Sequence, residues 1–257
     1  MCEMFGISSA GPTRPRELLC SFAARGGESA DNPDGWGLAA MVDNAFRITK
    51  EPQPAAHSPR FRALCHETRS ALILAHVRKA NPPTARVLAN THPFSHVCCG
   101  REWVFAHNGR LAETDDRQKS AANLCTPAGD TDSEYAFCLL LERIAAAFAP
   151  TGSGEAGWFD ALAQVAETLA SHGRFNFLMS DGTHLIAYGH DRLHALEDAE
   201  VLTGITLGPT VVLATEPLTE CSAWSAFAPG ELRVYRSGSR VLRLLTHPRA
   251  SQSALAE

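Results

Sequence analysis

The sequence has no C-x-x-C pair, no glycine-rich phosphate fingerprint, no internal repeat and no block of basic residues. Each absence removes a class of protein. Eleven histidines and eight cysteines keep no ligand-like interval to one another, so a structural metal site has no support. The stretches "RGG" and "GSG" lack the strand–glycine–helix setting of a dinucleotide or phosphate loop, and no cofactor is expected. A net charge of −5, spread over both signs, gives no electrostatic footprint for nucleic acid. No apolar run approaches the roughly 18–20 residues that span a bilayer. The first residues also lack the charged-then-apolar layout of a secretory leader. These absences predict a soluble, cytoplasmic chain whose cysteines are mostly buried thiols, with neither membrane nor nucleic-acid partners.

What is present is enough apolar material to bury a large core: 45% of the 257 residues are hydrophobic. No composition shift marks a boundary, so one domain over 1–257 is expected, with a frayed tail from 246 onward. "RPRELLCSFAARGG" puts Leu18, Leu19 and Phe22 on one helical face and stops at Gly26–Gly27. "GWGLAAMV" and "AFRITKE" read as a hairpin about Asp43–Asn44. "SALILAHVR" and "EWVFAHNG" read as strands, the second ending on a turn. "TDSEYAFCLLLERIAAAF" is the clearest helix, with Thr131 and Glu134 spaced as a capping box. "GWFDALAQVAETLASHG" is a second helix, and the remainder reads as antiparallel strands turning at Asp181–Gly182. Helices interspersed with hairpins predict an α+β sandwich, its sheets packed together and its helices outside.

Five polar stretches fall where strands or turns should end, which is where chemistry usually sits on a scaffold. Cys2 is one: removal of Met1 would place a thiol and a free α-amine on one residue, a nucleophile carrying its own base. "DNPDGWG" at 31–37 reads as a turn with a packed Trp36. Arg78 follows a buried strand, either reaching back to solvent or offering a bidentate fork to a carboxylate. In "NTHPF", His92 reads as orienting its loop through a hydrogen bond, while "HNG" at 107–109 is either a hairpin turn or an oxyanion hole. "GDTDSE" at 129–134 caps a helix, and its Asp132 is free to hold a ligand ammonium.

Together these stretches resemble the class II glutamine amidotransferases of the N-terminal nucleophile hydrolase superfamily, in their stand-alone bacterial form. The matched pattern runs from Cys2 to Ile7, then Arg25–Gly26 and "DGWG", Arg78, Asn90 to Pro93, His107–Asn108–Gly109, and Thr131 to Glu134. Each motif alone is weak, but all six occur in order over residues 2–145. "FNFLMSDG" and "VVLATEPLT" extend the likeness through the second half.

The resemblance implies a four-layer αββα sandwich of two mainly antiparallel sheets. It implies that Cys2 is the nucleophile and its α-amine the base, with Asn108 and Gly109 forming the oxyanion hole. Arg78 would take the α-carboxylate of a glutamine or γ-glutamyl substrate and Asp132 its α-ammonium, with Thr91, His92 and Arg25 as further binding positions. One departure matters. Synthase-linked members follow the binding arginine with Trp-Ala-Thr-His-Gly, whereas this chain has Lys79-Ala80-Asn81-Pro82-Pro83. Ammonia transfer would therefore need a separate synthase chain. The alternatives are a γ-glutamyl hydrolase of one small metabolite, as in ergothioneine synthesis, and a catalytically idle binding subunit.

Overall fold

The computed structural model describes residues 1–81, 84–112, 124–148, 154–197 and 208–249. The chain opens with strand β1 (Glu3–Thr13), helix α1 (Arg16–Ala24), the hairpin β2 (Trp36–Val42) and β3 (Ala45–Glu51), helix α2 (Pro59–Glu67) and strand β4 (Ser70–Val77). A second hairpin, β5 (Phe94–Cys98) and β6 (Arg101–Leu111), leads to helices α3 (Asp132–Phe148) and α4 (Gly154–Ala170). The remaining strands are β7 (Gly173–Ser180), β8 (His184–Gly189), β9 (His194–Leu196), β10 (Thr210–Ala214), β11 (Ser225–Ala226), β12 (Glu231–Arg236) and β13 (Ser239–Leu245).

Every strand pair among the described residues is antiparallel. One sheet has the order β11-β9-β10-β1-β4-β2-β3, the other β13-β12-β8-β7-β6-β5. Strand side chains alternate between faces, and here both faces of both sheets are apolar. Phe5, Ile7, Ile73, Ala75 and Val212 of the first sheet face outward and pack with Leu18, Leu19 and Phe22 of α1 and Phe61 of α2. Trp103, Phe105, Phe175, Phe177 and Met179 of the second sheet face outward onto Phe137, Leu140 and Ile144 of α3 and Trp158 and Leu162 of α4. The alternate residues, Met4, Leu72, Leu74, Val104, Ala106, Leu178 and Leu213, meet between the sheets. Helix, sheet, sheet and helix therefore stack as four layers, each buried large side chain contributing roughly 1.5–3 kcal/mol. At Gly6 the sheets approach so closely that a Cβ would lie 3.1 Å from Leu178 Cδ1 and 3.3 Å from Leu185 Cδ2.

Local signals explain most boundaries. Asp43 and Asn44 both take positive φ in the β2–β3 turn, the geometry that matches strand twist. The Thr131 hydroxyl accepts the Glu134 N–H at 3.2 Å, capping α3 as expected. Glu134, however, accepts from Gly129 N at 2.8 Å, so it braces the preceding loop instead of closing the box.

Three features depart from the sequence reading. First, α2 carried too few apolar positions to be recognised; Ser58 caps it by accepting the Phe61 N–H at 3.1 Å. Second, "HNG" is not a turn: β6 continues through it, with Asn108 opposite Asn176 and Gly109 opposite Phe175. Third, Cys125 and Cys138 form a disulfide, because α3 turns Cys138 inward against the loop that brings Cys125. Of the six free cysteines only Cys65 and Cys98 are buried. In the tail, Thr246 N donates to Gly230 O at 2.9 Å and His247 N to Glu167 at 2.9 Å, while residues 250–257 lie outside the described residues.

Candidate active site

The rows of side chains between the sheets are apolar in the middle and polar at one end. On β4 the inward row runs Leu72, Leu74, His76 and then Arg78; on β6 it runs Val104, Ala106, Asn108; on β7, Leu178 is followed by Asn176. Beyond β10 the inward position is Thr215, whose hydroxyl accepts the Met4 N–H at 2.9 Å. Cys2 has the same parity as Met4 and enters this end from the start of β1. Alternation alone therefore gathers the thiol, a guanidinium and two amides, although 106 residues separate Cys2 from Asn108.

The Cys2 sulfur accepts the Lys79 N–H at 3.2 Å and lies 3.3 Å from Lys79 O, to which the thiol donates. Although Cys2 as a residue is half-buried, desolvation of its sulfur pushes the thiol up, opposed by the Lys79 N–H, the N-terminal ammonium and Arg78. The Asn108 side-chain amide donates to the Cys2 carbonyl oxygen, fixing the amide beside Cys2 and leaving its second N–H for another acceptor. Gly109 cannot be replaced without moving β7, since a Cβ there would lie 1.9 Å from Arg174 O.

Arg78 is buried, only 3% exposed, and does not reach back to solvent. Its Nη1 donates to Ala85 O at 3.0 Å and its Nη2 to the Thr84 hydroxyl at 3.2 Å, so it holds the following loop against the sheet. Burial lowers its pKa, opposed by Cys2, Asp34 and Asp130. Asp34 of "DGWG" pins the same loop, accepting Ala80 N–H at 2.7 Å and pairing with Arg86 at 2.7 Å. Trp36 is fully buried edge-on to Phe61, as its motif suggested.

Asp132 stands in the first turn of α3, where helix N–H groups favour a carboxylate. One oxygen accepts Leu111 N–H at 2.8 Å and the other Ser133 N–H at 2.9 Å, tying the helix to β6 two residues beyond Gly109. Thr91 is fully buried and its hydroxyl donates to Val87 O at 2.8 Å. His92 does not use the hydrogen bond expected of it: among the described residues neither ring nitrogen has a partner. The ring instead packs between His76, at 4.2 Å and tilted by 32°, and Phe94, at 4.4 Å and tilted by 57°. Burial holds His92 well below its usual pKa and His76 down to about 3, so both are neutral. Arg25 is not brought to the inward face. It lies 3.7 Å from Glu3, whose side chain alternates to the helix side of β1, and donates to Pro217 O.

Sequence reasoning missed Asn176. Its Oδ1 accepts three successive backbone N–H groups, from His190, Asp191 and Arg192, at 2.7, 3.0 and 3.2 Å. Its Nδ2 donates to Asp191 at 2.7 Å and to Asn108 O at 3.1 Å, and lies 3.4 Å from Asn108 Oδ1. It thereby staples the 190–192 turn to the residue that touches Cys2. The signal was an asparagine interrupting the apolar run Phe175–Met179. Among the described residues no group of His, Cys, Asp or Glu could hold a metal ion, and no helix is long and apolar enough to cross a membrane. An open cleft of about 420 Å³, lined by Ile48, Lys50, Arg60 and Leu88, contains none of the residues around Cys2.

A four-layer αββα stack with a cysteine leading an inner strand into the polar end defines the N-terminal nucleophile hydrolase class. The family described as "Glutamine amidotransferases class-II" matches residues 1–257, and the chain belongs to that family. It is 34% identical to the "Putative glutamine amidotransferase YafJ" of Escherichia coli (strain K12), over 94% of this chain and all of that one. It is 29% identical to a gamma-glutamyl-hercynylcysteine sulfoxide hydrolase of Mycobacterium tuberculosis, over 75% of this chain and 71% of the relative. The crystal structure of a predicted glutamine amidotransferase from Pseudomonas aeruginosa PA01 superposes with a TM-score of 0.70 at 28% identity. That likeness covers 94% of this chain and all of the other.

Proposed function

We propose that loss of Met1 makes this chain an N-terminal cysteine amidohydrolase that cleaves the γ-amide of glutamine or a γ-glutamyl compound. The observation that carries the reading is the Asn108 side-chain amide donating to the Cys2 carbonyl oxygen at the polar end of the inter-sheet layer, where the Cys2 thiol is held by Lys79 N–H. Met1 is 53% exposed and open to an aminopeptidase. Its removal leaves an α-amine of pKa about 8 beside the thiol. That amine takes the thiol proton, directly or through a water, and the sulfur attacks the side-chain carbonyl. The oxyanion that forms is held by the second Asn108 N–H and by Gly109 N–H. Collapse breaks the C–N bond, and the α-ammonium gives its proton to the departing amine. Water then attacks the thioester, releasing the glutamyl carboxylate and restoring the thiol.

Arg78 and Asp132 serve as the cation and anion for the zwitterionic end of the substrate. Thr91 and His92 shape the loop above it, and Arg25 supports the nucleophile's strand through Glu3. The chain acts as one cytoplasmic domain, and ammonia released from glutamine passes to a separate synthase chain. Lys79-Ala80-Asn81 in place of the synthase-linked motif, with the likeness to a γ-glutamyl hydrolase, favours a second reading in which a small γ-glutamyl metabolite is simply hydrolysed. The test is processed protein, its loss of Met1 checked by intact mass, assayed for glutamate release from glutamine and γ-glutamyl amines. Turnover, with labelling of Cys2 by an electrophilic glutamine analogue, is the expected result. No turnover of any of them by correctly processed protein overturns the reading.

A further inference from the structure

Beyond the Asn108–Asn176 pair, the next inward-facing pair on the β6–β7 ladder is Arg110 opposite Arg174. Like charges directly opposite on neighbouring strands repel and destabilise the pairing. Among the described residues only Arg174 has a compensating carboxylate, Asp191 at 2.5 Å, and no carboxylate pairs with Arg110. The pair therefore carries an excess positive charge, and both residues are exposed. Its position is fixed relative to the nucleophile. Asp191 links the Arg174 guanidinium to Asn176, which contacts Asn108. The Arg174 side chain also donates to the Met1 sulfur, so it borders the space that Met1 occupies.

We infer that Arg110 and Arg174 form a leaving-group subsite for a carboxylate, and that the preferred substrates are γ-glutamyl amides of amino acids or peptides. This rests on the hydrolase reading above. In that reading the α-amine of processed Cys2 protonates the departing nitrogen, so the departing group lies on the side that Met1 vacates. Loss of Met1 also removes a contact of Arg174. An amino acid leaving group carries its carboxylate one carbon from the amide nitrogen, and so presents it to these two guanidinium groups. Planar guanidinium forks bind carboxylates with paired, charge-assisted hydrogen bonds. Glutamine itself, which releases ammonia, leaves the subsite unused.

The test compares γ-glutamylalanine with the neutral γ-glutamylethylamide, and both with glutamine, on processed wild-type protein. Wild type is expected to favour γ-glutamylalanine over γ-glutamylethylamide by about tenfold or more in kcat/KM, the scale of hydrogen bonds to a charged group. Arg174→Met should bring that ratio close to one. Arg110→Gln, which breaks no ion pair, should lower it several-fold, and Arg174→Lys should restore part of it. Equal use of the two amides by wild type, or a ratio unmoved by both Arg174→Met and Arg110→Gln, overturns the subsite while leaving the hydrolase reading intact. Failure of wild type on all three substrates overturns both.

Discussion

Two of the clusters of buried polar groups among the described residues are finished differently. Around Glu231 at the start of β12, one carboxylate oxygen accepts from Arg233 Nε at 2.9 Å and from Arg243. The other accepts from Arg233 Nη2 at 3.0 Å and Ala228 N–H at 2.8 Å. Every acceptor direction of that carboxylate is used. Although burial alone would raise its pKa, the two arginines and the Ala228 N–H hold it at about 2. Around Cys2 the accounting is left open: His76 Nδ1 and both nitrogens of His92 are buried without partners among the described residues, and Asn108 keeps an N–H in reserve. A buried polar group without a partner costs stability. A closed network serves the fold, whereas an open one leaves capacity for something that arrives later.

The contrast can be broken at either cluster. Cys2→Ala, in protein otherwise intact by thermal melting, should lower turnover by about 10⁴-fold or more, as loss of a nucleophile does. Asn108→Ala should cost about 10²–10³-fold in kcat with far less change in KM, because an oxyanion donor acts in the transition state. At the closed cluster the effect moves to stability. Glu231→Ala leaves the buried Arg233 without its main partner and should cost about 3 kcal/mol in denaturant unfolding, with kcat of the surviving native protein unchanged. Asn176→Ala should sharpen the boundary by lowering kcat about tenfold while KM moves little, since it acts by holding Asn108 and its turn. Equal changes in kcat and stability would assign Asn176 to the fold alone.

Acid should separate the two clusters as well. His76 and His92 have depressed pKa values, so the unfolded chain binds protons that the native chain refuses. Their contribution to stability is complete above about pH 6.5 and declines as pH falls toward 3. Glu231 and Asp181 have carboxyl pKa values near 2, both against the opposing effect of burial, Asp181 through its bonds to His184 and Thr183. Their contribution is intact until about pH 4.5 to 4 and is lost below it. Melting temperature followed across pH should fall in two stages, and His76→Gln should weaken only the upper one.

Much of this was legible from local pattern. The α1, α3 and α4 helices, the Asp43–Asn44 and Asp181–Gly182 turns and most strands follow from periodicity and turn chemistry acting over a few residues. Cys2, Arg78, Asn108 and Asp132 were visible as polar residues at the ends of apolar runs. Helix α2 and the Cys125–Cys138 disulfide were not visible, and neither were three further features. The continuation of β6 through "HNG" depends on β7 lying alongside and pairing Asn108 with Asn176. The role of Asn176 depends on a turn at 190–192 that no local signal connects to it. The displacement of Arg25 from the inward face depends on the parity of Glu3 in β1.

The sequence by itself determined which residues could carry chemistry and which elements would hold them, because period, capping and turn preference are encoded within a few residues. Only the tertiary structure decided which of those residues meet. A strand turns alternate side chains to opposite faces, so the pairing of β1, β4, β6 and β7 selects the members of each inward row. That pairing put Cys2 with Asn108, put Asn176 behind them, and set two arginines against each other at the mouth.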